Sequence, residues 1–164
     1  MTPQIKLCSR DPSPPPFEYV KGGGGIFADM AVHDLDMSRF LAGADPVDIL
    51  AIGSCHIDKS IEVLPGSEKF DTASCLVRYP NGVQAMVDVC RQSSYGYDQR
   101  AEVLGTKGMI QTDNVYPNTA KIYKNGESMI YNYHYESPCV FISWTCPFVI
   151  INVIIIIGLT LTIL

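Results

Sequence analysis

The 164-residue sequence contains no cluster of basic residues. Its 12 lysines and arginines are scattered along the chain and are outnumbered by 17 acidic residues, which gives a net charge of −5. Proteins that bind nucleic acid neutralise its phosphates with a basic stripe, and this sequence has none. We therefore expect no nucleic-acid partner.

Motifs typical of secreted and metal-binding proteins are also missing. The six cysteines, at 8, 55, 75, 90, 139 and 146, show neither C-x-x-C spacing nor the density of a disulfide scaffold. The N-terminal segment MTPQIKLCSRDPSPPP lacks the apolar stretch of a signal peptide. We therefore expect a reducing, cytoplasmic location. His56 and His134 have no ligand-like spacing to His33, so no metal site is expected.

No nucleotide-binding motif is evident. The glycine run at 22–25 precedes a predicted helix, but it lacks the preceding hydrophobic strand and the βαβ context of a G-x-G-x-x-G motif. No P-loop occurs either. The sequence alone therefore offers no evident means of holding a dinucleotide or ATP.

The segments that are present predict one helix and several strands. The helix spans 26–41 and ends before Gly43, a residue typical of the position after a helix. The segment DPSPPPFEYVKGGGG at 11–25 is expected to be a linker that could form a site wall. Hairpin turns are predicted at PNG, 80–82, and KNG, 124–126. β-rich runs predict strands at 4–9, 47–57, 70–79, 83–92, 99–104, 109–112, 120–123 and 129–133.

This order of elements is typical of the α+β class. We expect a mainly antiparallel or mixed sheet with the one major helix packed on a face, because the strands follow one another through short turns.

The predicted helix carries an acid and a histidine four residues apart. On a wheel of about 100° per residue, His33 falls inside the apolar arc and Asp29 beside it. The Asp29 carboxylate could then reach the imidazole and fix its tautomer. One interpretation is a general base at His33, oriented by Asp29. The alternatives are a buried histidine satisfied by a carboxylate, and an exposed pair if the helix packs through Leu35.

Two tyrosines, Tyr95 and Tyr97, flank a glycine at the start of a predicted strand. Two phenols on the same face could hydrogen-bond a polyol, or they could fill the space beneath the helix.

Three segments together resemble a known family. SRDPSPPPFEY at 9–19, GGIFADMAVHDLDMSRFL at 24–41 and YGYDQRAEVLGTKGM at 95–109 are similar to the C-terminal domain of the glucose-fructose oxidoreductase (Gfo/Idh/MocA) family, in its inositol 2-dehydrogenase subgroup. The resemblance runs from about Pro3 to Lys124. It implies an enzyme with an N-terminal Rossmann domain for NAD and a C-terminal α+β domain whose open sheet mediates oligomer contacts.

The resemblance also implies roles for individual residues. Asp29 and His33 match the pair that contacts the substrate hydroxyls, in which the histidine accepts the alcohol proton as hydride leaves for nicotinamide. Tyr97 and Tyr95 match aromatic positions near the bound cyclitol.

The family's Rossmann domain and the lysine of its E-K-P motif have no match in this sequence. We therefore expect the substrate-side half of an NAD-dependent oxidoreductase that acts on a secondary hydroxyl of a cyclitol or sugar, inactive without a Rossmann domain. The alternative is a non-catalytic module that binds a full-length paralogue or a second copy through its sheet face, or that is tethered to a membrane.

The C-terminal segment has a different composition from the rest of the chain. We expect the family domain to span 1–134, whereas 139–164 is a run of 26 residues without a charge. This run exceeds the roughly 20 residues that cross a bilayer. It is interpreted either as a transmembrane helix, which would make the protein membrane-associated, or as a non-native terminus.

Overall fold

The computed structural model of the chain describes residues 3–114 and the backbone of two further strands at 121–124 and 127–130. Residues 3–114 contain two α-helices, α1 at Phe17–Gly22 and α2 at Val32–Ala42. A π-helical turn at Phe27–Ala31 leads into α2, and a 3-10 helix spans Lys59–Val63. The strands are β1 Gln4–Arg10, β2 Asp48–Ser54, β3 Thr72–Arg78, β4 Gln84–Cys90, β5 Asp98–Leu104, β6 Met109–Thr112, β7 Lys121–Lys124 and β8 Glu127–Ile130.

Six of these strands form one mixed sheet. Its order is β2-β3-β4-β1-β5-β6, and β7 pairs with β8 in a separate antiparallel pair. All neighbours in the six-stranded sheet are antiparallel except β1 and β4, which run parallel. The predicted α+β class with a mixed sheet is therefore confirmed. The strands do not all lie beside their neighbours in sequence, as the expected short turns would require, because β1 lies between β4 and β5.

One face of the sheet forms the core. Alternate side chains of β1, β3 and β4 point to this face, where the valines of β4 are fully buried beneath Ile26 and Met30. The predicted turn at 80–82 closes the β3–β4 hairpin: the Tyr79 N–H donates to the Val83 carbonyl, and Gly82 adopts a φ of 85°. The strands form here because period-2 alternation buries every second residue.

The other face of the sheet is open in the described part of the chain. It carries polar side chains together with five exposed apolar ones, Leu50, Ile52, Leu76, Met86 and Met109. We call this surface the open face.

The predicted helix at 26–41 is present, but it is not a continuous α-helix. Gly43 ends α2 as expected, with a φ of 66° and its N–H bonded to the carbonyls of Arg39 and Phe40. The π-helical turn at its start holds more residues per turn than an α-helix. Residues after it are therefore rotated back by about 100° relative to the continuous wheel that the sequence analysis assumed.

This rotation changes which side of α2 is buried. Asp34, Ser38, Leu41 and Ala42 face the sheet, and the Ser38 hydroxyl lies 2.7 Å from the Tyr79 hydroxyl. His33 is exposed instead of lying in the apolar arc. The predicted placement of His33 inside that arc was therefore wrong.

The predicted linker at 11–25 contains the short helix α1. The N–H groups of Tyr19 and Val20 bond to the Pro16 carbonyl, and Val20 packs with Ile61 and Leu64 in a small second core. The composition of the proline run hid this one-turn helix, because its stability comes from packing rather than from propensity.

The hydrophobic tail at 139–164 lies outside the described residues, as do His134 and the residues 125–126 of the second predicted turn. Among the described residues, none of the helices is both long enough and apolar enough to span a bilayer.

Candidate functional site

The parallel pairing of β1 with β4 brings two charged residues to one edge of the sheet. Asp11 follows β1 directly, and its N–H donates to the Cys90 carbonyl at the end of β4. Arg91 follows β4, and the π-helical turn packs against that strand. The carboxyl ends of parallel strands lie at the same sheet edge, so Asp11, Arg91 and the π-helical turn meet there.

Asp29 is held by two donors at this edge. The Tyr19 hydroxyl donates to Oδ1 at 2.7 Å, and the Arg91 guanidinium lies 2.6 Å from Oδ2. The Arg91 side chain is only 5% exposed and also lies 3.6 Å from Asp11 Oδ2. Burial raises the pKa of Asp11, while Arg91 opposes that shift and Asp29 adds to it. Two carboxylates therefore share one buried cation.

His33 does not complete this network. No hydrogen bond or ion pair joins it to Asp29 among the described residues, where the Asp29 carboxylate contacts Tyr19 and Arg91 instead. The predicted orientation of the imidazole by Asp29 is therefore wrong. His33 instead projects from the exposed side of the first turn of α2, where a ligand can reach it.

Asp34 is a buried carboxylate that the sequence analysis did not consider. Burial raises its pKa to about 6, whereas a hydrogen bond from Ser9 and the nearby charge of His33 act to lower the pKa. Its Oδ2 has no hydrogen-bond partner within residues 3–114. The π-helical turn explains its position, because the rotation that exposes His33 turns Asp34 toward the sheet.

Tyr97 faces the same region. Its pKa is raised to about 12, first by burial of the phenol and then by the carboxylates of Asp11, Asp34 and Asp98. The hydroxyl donates to Gln99 Oε1 at 3.3 Å. At neutral pH this phenol is protonated, as a phenol of ordinary pKa also is, and it can donate a hydrogen bond.

Tyr95 points elsewhere. Its hydroxyl donates to Asp98 Oδ2 at 2.5 Å, and Asp98 is a fully buried carboxylate that also accepts from Arg100 and Asn114. Asp98 lies opposite Arg10 on the open face of the sheet. The two tyrosines therefore do not share a face, and the structure brings only Tyr97 toward Asp11 and Asp34.

The glycine run at 22–25 packs against the protein's own backbone. Gly24 and Gly25 have φ values of 77° and 81°, and a Cβ on Gly25 would lie 2.6 Å from the backbone of Ser67. The Ser67 hydroxyl also donates to the Gly24 carbonyl at 3.3 Å. The backbone of Ser67 occupies the space beside Gly25 that a pyrophosphate would need. This loop therefore does not form a pyrophosphate-binding site.

Sequence reasoning missed Asp11, Tyr19, Asp34 and Arg91. The alternation of β4 does predict that Arg91 points inward. Ala85, Val87 and Val89 are buried, and residue 91 is the next position in the same alternation. A cation at an inward position needs a carboxylate partner. Tyr19 had no such signal, since its role depends on the unpredicted helix α1.

We call the residues Asp11, Tyr19, Asp29, His33, Asp34, Arg91 and Tyr97 the sheet-edge site. Within the part of the chain that the structure describes, no group of histidine, cysteine and acidic side chains is arranged to hold a metal ion.

The chain belongs to the Gfo/Idh/MocA family, because residues 4–111 match the model of the GFO/IDH/MocA C-terminal domain. It is 42% identical to the inositol 2-dehydrogenase of Rhizobium meliloti over 118 residues, which is 72% of this chain and 35% of that protein. It is also 42% identical to the myo-inositol 2-dehydrogenase of Thermotoga maritima, over 70% of this chain and 34% of that enzyme. The chain thus spans about a third of the length of these relatives.

Solved structures show the same fold. A myo-inositol dehydrogenase from Corynebacterium glutamicum superposes with a TM-score of 0.68 at 36% identity, over 80% of this chain and 39% of that one. A scyllo-inositol dehydrogenase from Lactobacillus casei, solved with bound NAD(H) and scyllo-inositol, gives a TM-score of 0.62 at 25% identity, over 79% of this chain and 39% of that one. These neighbours confirm the predicted family and fold class.

Proposed function

We propose that the sheet-edge site binds the cyclitol or sugar substrate of an NAD-dependent oxidoreductase that oxidises a secondary hydroxyl. The observation that carries this proposal is the position of Asp29, His33 and Tyr97 around one edge of the sheet, with His33 exposed and Asp29 anchored. Membership of a family whose relatives include inositol dehydrogenases supports the substrate class.

The chemistry of these side chains suits a polyol. A ring with several hydroxyls needs several directional hydrogen bonds. The Asp29 carboxylate accepts one from a hydroxyl, and the Tyr97 phenol, with its pKa raised to about 12, donates one. The His33 imidazole takes the proton of the hydroxyl that is oxidised, because oxidation of a secondary alcohol needs a base at that oxygen.

NAD supplies the hydride acceptor in this proposal, by resemblance to the family. The described residues do not fit its pyrophosphate, since Ser67 fills the close approach at Gly25. We therefore propose that this chain contributes substrate binding and the proton acceptor, and that it does not turn over a cyclitol without a dinucleotide-binding domain.

Calorimetric titration of the full chain with myo-inositol tests the proposal. We expect saturable binding that weakens about tenfold in His33→Ala, which corresponds to the loss of one hydrogen bond of ordinary net strength. His56→Ala is the matched control, because His56 is also an exposed histidine but lies in the loop after β2. Absence of saturable binding to myo-inositol and scyllo-inositol would contradict the proposal, as would equal effects of the two variants.

A second candidate function is an interaction through the open face. We propose that a second copy or a full-length paralogue packs on Leu50, Leu76 and Met86, which lie side by side on β2, β3 and β4 and are each about half exposed or more. Sedimentation of the chain alone and mixed with a full-length relative tests this proposal. We expect association that Leu76→Asp abolishes, and monomers in every mixture would contradict it.

A further inference from the structure

The chemistry above gives no role to Arg91 of the sheet-edge site. Its side chain is 5% exposed, and one guanidinium nitrogen lies 2.6 Å from Asp29 Oδ2 and 3.6 Å from Asp11 Oδ2. The Nε atom is buried and has no hydrogen-bond partner among the described residues. Burying a cation is costly unless carboxylates offset it, and both neighbours here are carboxylates.

The two oxygens of Asp29 are held by different donors. Tyr19, from α1, bonds to Oδ1, whereas Arg91, from the end of β4, contacts Oδ2. Each carboxylate oxygen has two lone pairs, so each keeps one acceptor position after these contacts. The Asp29 side chain is 17% exposed, which leaves those positions open to a ligand.

We propose that Arg91 is a positioning residue: it fixes the Asp29 carboxylate, with Tyr19 as the second anchor, so that the remaining lone pairs of Asp29 accept hydroxyls of the bound cyclitol. This inference rests on the proposed function. A guanidinium suits the task better than an ammonium, because its planar fork fixes the direction of its donors whereas lysine presents a point charge. Arg91→Lys keeps the charge and loses the fixed geometry.

The first test is a double-mutant cycle on the affinity of the full chain for myo-inositol. We expect Arg91→Lys and Asp29→Asn each to weaken binding about ten- to a hundredfold, the range for a lost hydrogen bond to a charged group. The double variant should bind no more weakly than the weaker single variant, since Arg91 acts through Asp29. Effects that multiply, or an affinity of Arg91→Lys within twofold of the wild type, would overturn the inference.

A matched control exists on the open face. Arg100 contacts the buried carboxylate of Asp98 at 2.8 Å, and within residues 3–114 it forms no ion pair with Asp11, Asp29 or Asp34. Arg100→Lys therefore loses the same kind of contact, and we expect myo-inositol affinity to stay unchanged. Equal weakening in Arg100→Lys and Arg91→Lys would show a general loss of structure and would count against a positioning role.

The second test needs no ligand and uses the Tyr19 phenol. Its hydrogen bond to Asp29 raises its pKa, burial and the Asp11 charge add to the shift, and the Arg91 charge opposes it. If Arg91 fixes Asp29, Arg91→Lys frees the carboxylate and the Tyr19 pKa falls toward its ordinary value, as it should in Asp29→Asn. An unchanged Tyr19 pKa in Arg91→Lys would show that Asp29 holds its place without Arg91 and would overturn the inference.

Titration of the Tyr19 ring carbon by NMR measures this pKa, and a circular dichroism spectrum at each pH shows that the variants remain folded. The two tests separate the proposals. Failure of the wild type to bind a cyclitol contradicts the proposed function, and the anchoring of Asp29 by Arg91 is then decided by the Tyr19 titration alone.

Discussion

The guanidinium of Arg91 lies 2.6 Å from the carboxylate of Asp29, and this contact ties the end of β4 to the π-helical turn that precedes α2. Arg91 reaches Asp29 because it keeps the inward parity of the buried residues Val87 and Val89. The geometry of the sheet-edge site therefore depends on the register of β4, since a slip of one residue would turn Arg91 to the open face.

Asp34 should make the stability of the protein fall between about pH 4 and pH 7. Burial raises the folded-state pKa of this carboxyl from 3.8 to about 6, so the folded protein favours its neutral form. The contribution of Asp34 to the free energy of unfolding is most favourable below the unfolded-state pKa of 3.8. It is lost as the pH rises through about 6, and the total loss is about 3 kcal/mol.

Urea unfolding at pH 4 and pH 7 measures this difference. We expect Asp34→Asn to remove most of the decrease that the wild type shows, because the amide does not titrate. Asp36→Asn, which changes a more exposed acid on the same helix, should leave the decrease in place. A wild-type profile that Asp34→Asn does not alter would show that Asp34 titrates normally in the folded protein.

Asp71 should be essential for the loop after β2. It is fully buried and accepts hydrogen bonds from the N–H groups of His56, Ile57 and Asp58 at 2.6 to 3.1 Å. Asp71→Ala should lower the free energy of unfolding by about 3 kcal/mol, because three part-buried backbone N–H groups lose their acceptor. Asp45→Ala, at an exposed ion pair with Arg39, should change it by less than about 1 kcal/mol. Similar urea midpoints for the two variants would contradict this assignment.

Gly25 should be far less tolerant of alanine than Gly22. At Gly25 the positive φ of 81° and the contact with the Ser67 backbone both oppose a Cβ, whereas nothing lies within 4 Å of a Cβ at Gly22. We expect Gly25→Ala to lower the free energy of unfolding by at least about 2 kcal/mol. Gly22→Ala, at a helical position, should raise it by about 0.5 kcal/mol. Thermal unfolding of both variants checks the contrast, and equal melting temperatures would refute it.

Most of the fold could be predicted from the sequence because local patterns determine it. Alternation in β1, β3 and β4 predicts their extents to within two residues, and Gly43 marks the end of α2. No pattern in the sequence predicts the π-helical turn, because a helical turn with one extra residue has the same composition as an ordinary helical turn. That turn exchanges the environments of His33 and Asp34, which is why the predicted wheel placed the histidine on the wrong side.

The sheet-edge site could be predicted only in part. Asp29 and His33 were singled out by their i, i+4 spacing on the predicted helix and Tyr97 by its place beside a glycine, and the roles that the family resemblance implies for them stay predictions. The parity of residue 91 marked Arg91 as inward, but its partner could not be predicted, because Asp29 comes from the π-helical turn and the packing of that turn on β4 is a long-range contact that no local pattern encodes. Tyr95 was assigned to the same site as Tyr97, although its hydroxyl is bonded to Asp98 on the open face.

A crystal structure of the full chain soaked with myo-inositol tests the central claim most directly. We predict one ring at the sheet edge, with one hydroxyl about 2.6 to 3.2 Å from an imidazole nitrogen of His33 and a second at that distance from Asp29. The Tyr97 hydroxyl should contact the same ring, and Tyr95 should remain bonded to Asp98. A ring bound away from His33 and Asp29, or no ring at a concentration that saturates binding in solution, would contradict the account.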